Sequence, residues 1–403
     1  MFSVARAIKL IYARIYKNLG TRHIICYFCK INIRRMKIGI LGGGQLGRML
    51  IQNALKYDDD WFTLDPAKDA PCSSISYFTE GNFNDYESVF NFGKGKDVVS
   101  IEIEHVNVDA LFELQECGIK IIPSPEIIKT IQQKILQKEF YKKHQIPSPE
   151  FQVIQNKSEA NFPLPFVQKM NTGGYDGKGV QVITNEADIE KLWDVPSVLE
   201  TLVDIDKELS IIIAKNEKGE TRTFPVTEMV ADPKLNLLDF NICPSDISED
   251  VQQQIDQIAQ QFIEAADSPG LFAIELFLDK KGKVWVNETA PRLHNSGHQT
   301  QEGNSNSQFE QMYRVLKNLP LADTDILSFS GMVNLVGEEN FSGKAKYEGI
   351  EEILKLPKTY VHLYGKSETK PGRKMGHINV VADSREELME KLIKIKSLIK
   401  VKS

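Results

Sequence analysis

The stretch Leu271-Phe272-Ala273-Ile274-Glu275-Leu276-Phe277-Leu278, followed after Asp279-Lys280-Lys281-Gly282-Lys283 by Val284-Trp285-Val286-Asn287-Glu288, reads as a β-hairpin with acids set inside apolar strands. The intervening residues have the composition of a hairpin loop. A two-residue turn at Lys281-Gly282 sets Lys280 against Lys283 and Glu275 directly against Glu288. Like charges opposed on a strand pair destabilise it, and the neighbouring Ala273, Phe277 and Val286 point to partial shielding from water. Shielded carboxylates need a partner. A hard cation such as Mg²⁺, held by one or two carboxylates plus substrate phosphates, supplies one. An edge strand with both glutamates solvated is the alternative.

Almost directly after the hairpin comes Ala290-Pro291-Arg292-Leu293-His294-Asn295-Ser296-Gly297-His298, a polar run offering a cation, imidazoles, an amide and a hydroxyl. His294 and His298 have the spacing of zinc ligands on a helix, but Pro291 and Gly297 argue against a helix there. Arg292 and Asn295 are better suited to phosphate and carbonate oxygens. Upstream, Thr172-Gly173-Gly174-Tyr175-Asp176-Gly177-Lys178-Gly179 lies between two predicted strands, Phe166–Met170 and Val180–Ile183. Glycines let backbone N–H groups converge on phosphate oxygens, and Lys169 and Lys178 add positive charge, so a phosphate lid is expected rather than a bare hairpin tip. Gly42-Gly43-Gly44-Gln45-Leu46-Gly47 follows the strand Lys37–Leu41, opens a helix, and is followed by Asp65. That is the dinucleotide fingerprint, although any tight strand-to-helix turn needs the same glycines. In the tail, Lys366 and Pro371-Gly372-Arg373-Lys374 form a basic cluster suited to an anionic substrate.

Around these motifs the chain reads as α/β and α+β. Strands at 37–41, 61–64, 97–103 and 120–122 alternate with helical segments and predict a doubly wound parallel sheet. A helix over 125–143 closes it, and Ile146-Pro147-Ser148-Pro149 reads as a linker. Later strands are expected at 198–202, 208–214 and 221–229, with helices at 187–193, 248–266 and 385–400. Short tail strands are expected at 332–335, 360–363 and 377–381.

The 403 residues suffice for two to four domains, and no apolar run reaches membrane-spanning length. Net charge is −6, yet residues 1–35 hold eight Lys or Arg and no acid, which sets the remainder at −14. An acidic body argues against nucleic acid as the partner, and five cysteines without a framework suit a reducing cytoplasm. Residues 1–35 allow a basic amphipathic helix and hold a Cys26/Cys29 pair. The clean strand after Met36 predicts that they are an extension, disordered or not native.

Together, Gly43 to Met49, Gly173 to Gly179, Asn287-Glu288 with Pro291 to His298, and Pro371 to His377 resemble the ATP-grasp superfamily. Within it they are similar to the 5-(carboxyamino)imidazole ribonucleotide synthases of purine biosynthesis. The resemblance implies an ATP-grasp fold with segments 36–130 (Rossmann-like, pre-ATP-grasp), 131–205 (lid), 206–322 (catalytic) and 323–403 (C-terminal, β-rich). It implies ATP contacts from Lys134, Lys169 and the loop Gly174, Tyr175, Asp176, Gly177, Lys178, Gly179 and Val180. Adenine and ribose contacts follow from Glu200, Thr201, Leu202, Val203 and Glu208, and Mg²⁺ (or Mn²⁺) on Glu275 and Glu288 beside Asn287. Aminoimidazole ribonucleotide is expected among Gln45, Leu46, Glu104, Lys366, Arg373 and Lys374. Bicarbonate is the second substrate. Tyr175 closes the lid, Arg292 and Asn295 offset charge, and Asp176 or His294 manages the proton. A homodimer is expected. One departure is Val230-Ala231-Asp232-Pro233-Lys234, where family members often carry a histidine. Competing readings are another ATP-grasp ligase (a formate-dependent glycinamide ribonucleotide transformylase or a D-alanine ligase), a nicotinamide-dependent oxidoreductase, and a non-catalytic nucleotide-binding protein.

Overall fold

The structure, a computed structural model, describes residues 34–174, 179–232 and 237–403; the basic leader up to residue 33 and the lid tip Tyr175, Asp176, Gly177 and Lys178 lie outside the described residues. Strands β1 (Lys37–Leu41), β2 (Asp60–Asp65), β3 (Tyr77–Glu80), β4 (Val98–Ile101) and β5 (Lys120–Ile122) form a parallel sheet in the order β3-β2-β1-β4-β5. This is the doubly wound unit the sequence predicts. Its strand β3 was not legible, because it is four half-polar residues at an edge, and the helical segments expected between the strands are Tyr86–Gly93 and Val108–Glu116.

A small antiparallel sheet follows, β6 (Phe151–Ile154), β7 (Phe166–Met170), β8 (Val180–Ile183) and β9 (Ser197–Thr201), in the order β6-β9-β7-β8. The large sheet takes β10 (Ile205–Lys215), β11 (Thr221–Thr223), β12 (Thr227–Ala231), β13 (Leu238–Cys243), β14 (Gly270–Asp279), β15 (Val284–Ala290) and β16 (Phe329–Val336). It continues past the pairs β17 (Gly343–Lys344) and β18 (Lys346–Glu348) into β19 (Thr359–Leu363) and, beyond β20 (Glu368–Thr369), β21 (Lys374–Ala382). The last strand, β22 (Lys400–Lys402), pairs with β18. Strand β16 bonds directly to β13, so the tail extends the central sheet without a break.

Alternation decides which face of the hairpin is free. Ile274, Leu276 and Val286 turn toward the helix Glu249–Ala266, whose Val251, Ile255, Ile258 and Phe262 recur at helical spacing. Ser248 caps that helix on the Val251 N–H, with Glu249 and Asp250 in its first turn. Glu275 therefore faces the opposite side, away from the apolar stripe.

Two expected elements break. The predicted helix 125–143 is two helices, Pro125–Gln132 and Lys134–Lys143, parted at an extended Gln133. The break comes from elsewhere: Asn171, at the end of β7, accepts the Lys134 N–H through its carbonyl and the Ile135 N–H through its side chain, both at 3.0 Å. The predicted strand 221–229 splits around Pro225, which has no N–H for the ladder. The helix expected at 187–193 is a 3₁₀ segment, Glu186–Lys191.

The glycine turn after β1 is filled from within. The Gly44 N–H donates to the Glu102 carboxylate, the Leu46 N–H donates to it at 3.2 Å, and the Gly43 N–H donates to Asp65 at 2.8 Å. A Cβ on Gly44 would overlap a Glu102 oxygen. The N–H groups that hold pyrophosphate in a dinucleotide fold are thus committed to protein carboxylates. Burial, and Asp65 nearby, push the Glu102 carboxyl up to about 7, despite these donors and Arg292. A second buried acid ties the first sheet to the helix Gln308–Leu316. Asp59 accepts from the Met36 N–H, the Tyr313 hydroxyl and Lys317, each at 2.7 Å, and the Asp59 and Lys317 side chains are 1% and 3% exposed.

Asp59→Ala would leave Lys317 buried without its carboxylate and should lower unfolding free energy by about 3 kcal/mol in urea titration; an unchanged midpoint would show the pair to be dispensable. For Glu102 the folded value lies above the ordinary one. Its contribution is complete below about 4.5 and lost as pH rises through about 7. Across that window wild type should lose about 1–3 kcal/mol relative to Glu102→Gln, discounted for partial exposure. Parallel stability curves for the two proteins would contradict this.

Candidate active site

The hairpin reaches its pairing by a different route from the one expected. The loop is three residues, Lys280 to Gly282, closed by the Asp279 N–H on the Lys283 carbonyl at 2.9 Å, with Gly282 at φ +80°. Asp279 accepts from the Lys281 and Lys283 N–H groups at 2.9 Å and from the Trp285 indole at 3.0 Å. Leu278 then pairs with Val284 and Leu276 with Val286, one residue out of the predicted register. A bulge at Asn287 adds the missing residue, and Glu275 does sit opposite Glu288. Bulges re-aim side chains. Here the Asn287 amide donates to Glu275 at 3.2 Å and its carbonyl oxygen accepts from Lys169 at 2.7 Å.

The two glutamates border a cavity of about 650 Å³. Its walls come from every part of the fold: Gln45, Leu46, Glu102 and Glu104 from the first sheet, Lys134 from the second half of the broken helix, and Asn171 to Gly174 from the lid. Glu208 from β10, the polar run Arg292, His294, Asn295 and His298, and Lys374 from β21 complete it.

Each carboxylate has a cationic or polar neighbour. Glu288 is ion-paired with Lys134, and Glu275 meets the His294 Nε2 at 3.3 Å. Burial by itself would raise the Glu288 carboxyl, but Lys134, then Lys169 and His294, hold it well below the usual carboxylate range. The Lys134 ammonium is held above its ordinary value by Glu288, against its own burial. Glu104 is likewise buried, yet Arg292 at 2.6 Å keeps it low. Glu208, beside Glu275 without such a cation, is pushed up by burial and by that charge. Lys134 is the first residue of its helix, where a cation opposes the helix dipole; Glu288 compensates.

Among the described residues no group of three or more His, Cys, Asp or Glu converges as a ready-made metal cage. His294 and His298, whose helical spacing Pro291 and Gly297 already argued against, each have other partners. His294 Nδ1 is bonded to the Ser296 hydroxyl at 2.9 Å, and His298 is a buried ring stacked near Phe309 and His377. Burial, then the charges of His294, His362 and Lys374, push the His298 imidazole well below the usual histidine range, so it stays neutral. Two opposed carboxylates on a cavity wall still fit a magnesium-type cation, which takes few protein ligands and shares the remainder with phosphates and water.

Asn295 is half-buried in the cavity wall, and both its amide atoms are buried and unpartnered among the described residues, an arrangement that calls for a polar ligand. Lys374 lines the cavity, and Lys366 stands behind it, donating to Gln45 at 3.0 Å and to the Lys374 carbonyl at 2.7 Å. Arg373 does not join them. The turn at Gly372, φ +75°, folds it back onto the Glu368 carbonyl at 2.8 Å. The Glu200 side chain is also elsewhere, buried between Lys138 and Lys169. Thr201, Leu202 and Val203 continue past it outside the wall, and the Thr201 N–H is taken by the Glu150 carbonyl at 2.9 Å. Gly174 lines the cavity, whereas Gly179 precedes the return strand that Val180 begins. Glu102, Asn171 and Lys138 escaped the sequence reading. Lys138 did carry a signal, lying one helical turn after Lys134 and three residues before Tyr141.

No helix among the described residues is long and apolar enough to cross a membrane. Models of the ATP-grasp domain, the ribonucleotide synthetase pre-ATP-grasp domain and the phosphoribosylaminoimidazole carboxylase C-terminal domain match residues 139–309, 35–132 and 330–391. The N5-carboxyaminoimidazole ribonucleotide synthase of Saccharolobus solfataricus is 36% identical over 376 residues, 90% of this chain and 96% of that protein. The fold superposes on the N5-carboxyaminoimidazole ribonucleotide synthetase of Thermotoga maritima with a TM-score of 0.85 at 42% identity, covering 91% of this chain and 99% of that one. It also superposes on the Aspergillus clavatus N5-carboxyaminoimidazole synthase in complex with ADP and 5-aminoimidazole ribonucleotide, with a TM-score of 0.81 at 32% identity over 91% and 99% of the two chains. With its pre-ATP-grasp sheet, ATP-grasp unit and C-terminal extension matched in order, the chain belongs to the N5-carboxyaminoimidazole ribonucleotide synthase family of ATP-grasp proteins.

Proposed function

We infer that this chain is an ATP-grasp ligase that joins bicarbonate to the exocyclic amine of 5-aminoimidazole ribonucleotide, giving N5-carboxyaminoimidazole ribonucleotide, ADP and phosphate. The observation that carries this reading is the cavity wall itself. Glu275 and Glu288 face each other across a bulged hairpin at one part of it, and Lys374 and Gln45 stand in another. One part suits a nucleotide's terminal phosphates, the other a phosphorylated acceptor.

Glu275 and Glu288 are the residues that would hold Mg²⁺, or Mn²⁺ in its place; when bound, the ion offsets charge on the nucleotide phosphates. Lys134, Lys169 and the loop from Gly174 to Val180 would bind those phosphates, with Tyr175 and Asp176 at the lid tip. Glu208 would take the ribose hydroxyls, and the backbone of 200–203 the adenine. Gln45, Leu46, Glu104 and Lys374 would hold the aminoimidazole ribonucleotide, with Lys366 supporting Gln45 and Lys374. Arg373 is the weakest member of that set, being engaged with Glu368.

A bicarbonate oxygen attacks the γ-phosphorus and ADP leaves, which gives carboxyphosphate. The amine nitrogen then attacks the carboxyl carbon, directly or as CO₂ released from it; phosphate leaves and the amine gives up a proton. Arg292 and the unpartnered Asn295 amide would stabilise charge on the carbonate oxygens as it develops. His294 would accept the proton at Nε2 once Glu275 is turned to the metal, while Ser296 holds the ring at Nδ1. Lid closure would exclude water from the labile intermediate. We also propose the partition at 36–130, 131–205, 206–322 and 323–403, a homodimer, and a cytoplasmic location.

Glu288→Gln should reduce phosphate release stimulated by aminoimidazole ribonucleotide and bicarbonate by about 100-fold or more, with the fold intact by circular dichroism. Unimpaired turnover would remove the role of the carboxylate pair. Omitting either the ribonucleotide or bicarbonate should abolish stimulation in wild type; stimulation by glycinamide ribonucleotide with formate, or by D-alanine, would point to another ATP-grasp ligase. Lys374→Ala should raise the ribonucleotide KM about tenfold while leaving the ATP KM nearly unchanged.

A further inference from the structure

Behind the cavity lies a buried charge cluster of whose side chains the reaction scheme uses only that of Lys169. Glu200 on β9 sits between Lys138, at 2.6 Å, and Lys169 of β7, with which it is also ion-paired. Lys138 and Glu200 are each 2% exposed and Lys169 is 7% exposed. Buried charges persist only when paired, and here one carboxylate serves two ammonium groups. The surplus charge falls on Lys138. Burial pushes its ammonium down to about 8 despite Glu200, while the two lysines together hold the Glu200 carboxyl low against its own burial.

Lys169 is not part of the cavity wall, although its neighbours Met170 and Asn171 are. It is drawn back onto Glu200 and the Asn287 amide. To touch a nucleotide phosphate it must leave Glu200, and a buried carboxylate with no other cation would resist that exchange. Lys138 has no path to the ligand: its stem is enclosed and its ammonium lies 6.0 Å from the Tyr141 ring.

We propose that Lys138 is a positioning residue, the standing counter-ion of Glu200 that frees Lys169 to move from that carboxylate to the nucleotide's phosphates. This rests on the reading of Lys169 as a phosphate-binding group. Lys138 never meets substrate. It sets how readily Lys169 is released.

The test is steady-state kinetics with ATP varied, supported by ADP titration. Lys138→Met should raise the ATP KM about tenfold, because Glu200 then keeps its one remaining cation, with kcat at saturating ATP much less affected. Lys138→Arg should stay close to wild type. Lys138→Met combined with Glu200→Gln should recover most of the lost affinity, since no carboxylate remains to hold Lys169. An unchanged ATP KM in Lys138→Met, or a double variant as impaired as the single one, overturns the proposal; the second result would assign Lys138 a merely structural part. Lys169→Met tests the parent reading separately: if it binds ATP as wild type does, the phosphate role of Lys169 fails whatever Lys138 does.

A second measurement needs no risky variant. The charged and titratable groups around the Lys138 ammonium are Glu200 on β9, Lys169 on β7, Lys134 and Tyr141 on its own helix, and Glu288 on β15 paired with Lys134. Loss of the Lys138 proton removes the standing counter-ion, so the wild-type ATP KM should rise as pH passes about 8, whereas Lys138→Arg stays flat. A flat wild-type profile also overturns the proposal.

Discussion

Two carboxylates held against each other across a strand pair are the constraint around which the rest of this molecule is arranged. Glu275 and Glu288 could relieve their repulsion by turning apart into water, but one face of their hairpin is sealed by the helix Glu249–Ala266. The bulge at Asn287 then brings an amide between Glu275 and Lys169. What compensates the pair comes from far along the chain. Lys134 arrives from a helix interrupted to deliver it, and His294 from the loop after the same hairpin. The helix break at Gln133 makes sense only in this light. A continuous helix would keep the Lys134 and Ile135 N–H groups inside its own ladder, whereas Asn171 now takes both and couples the helix to the lid strand.

The sequence made the hairpin, the parallel sheet and the polar run Arg292 to His298 legible because each is a local pattern: apolar alternation, a glycine turn after a strand, clustered polar residues. Legibility ended where a partner distant in sequence decides the outcome. Nothing near Gln133 predicts the break, since the apolar spacing runs on through it and the cause is Asn171. The Glu275–Glu288 pairing was read correctly from an incorrect turn. A three-residue loop shifts the register by one and the Asn287 bulge shifts it back, so the two departures cancel. Arg373 looked equivalent to Lys374 in a basic cluster, but a positive-φ glycine beside it turns it onto Glu368. The family resemblance offered Glu200 as a nucleotide contact, and nothing in the sequence marked it as the centre of a buried lysine pair.

The first glycine turn shows how one local pattern serves unlike ends. Gly42 to Gly47 meets every local requirement of a dinucleotide fingerprint, with an acid after the second strand. What separates the two uses is a residue from a third strand. Glu102 places its carboxylate on the Gly44 and Leu46 N–H groups, and Asp65 turns inward to Gly43 and Ala67. The turn is thereby fixed as a wall, and Gln45 and Leu46 become part of the cavity lining. Glycine at 44 is needed for the approach of a protein carboxylate and not of a cofactor.

The pairs around the cavity share one logic. Lys134 rests on Glu288, Arg292 on Glu104 and Lys169 on Glu200. A site built to accept polyanions would otherwise hold several buried cations together, and their mutual repulsion would oppose folding. Parking each cation on an acid avoids that penalty, and with the proposed roles of Lys134 and Lys169 binding would be an exchange of one anionic partner for another. Exchange has a consequence that simple capture lacks: as phosphate oxygens take over a cation, the acid it leaves is uncovered. For Glu288 an uncovered carboxylate is what a hard cation requires. For Glu200, enclosed and off the cavity wall, it would be a stranded charge, and Glu200 is the acid among them that is ion-paired with a second lysine.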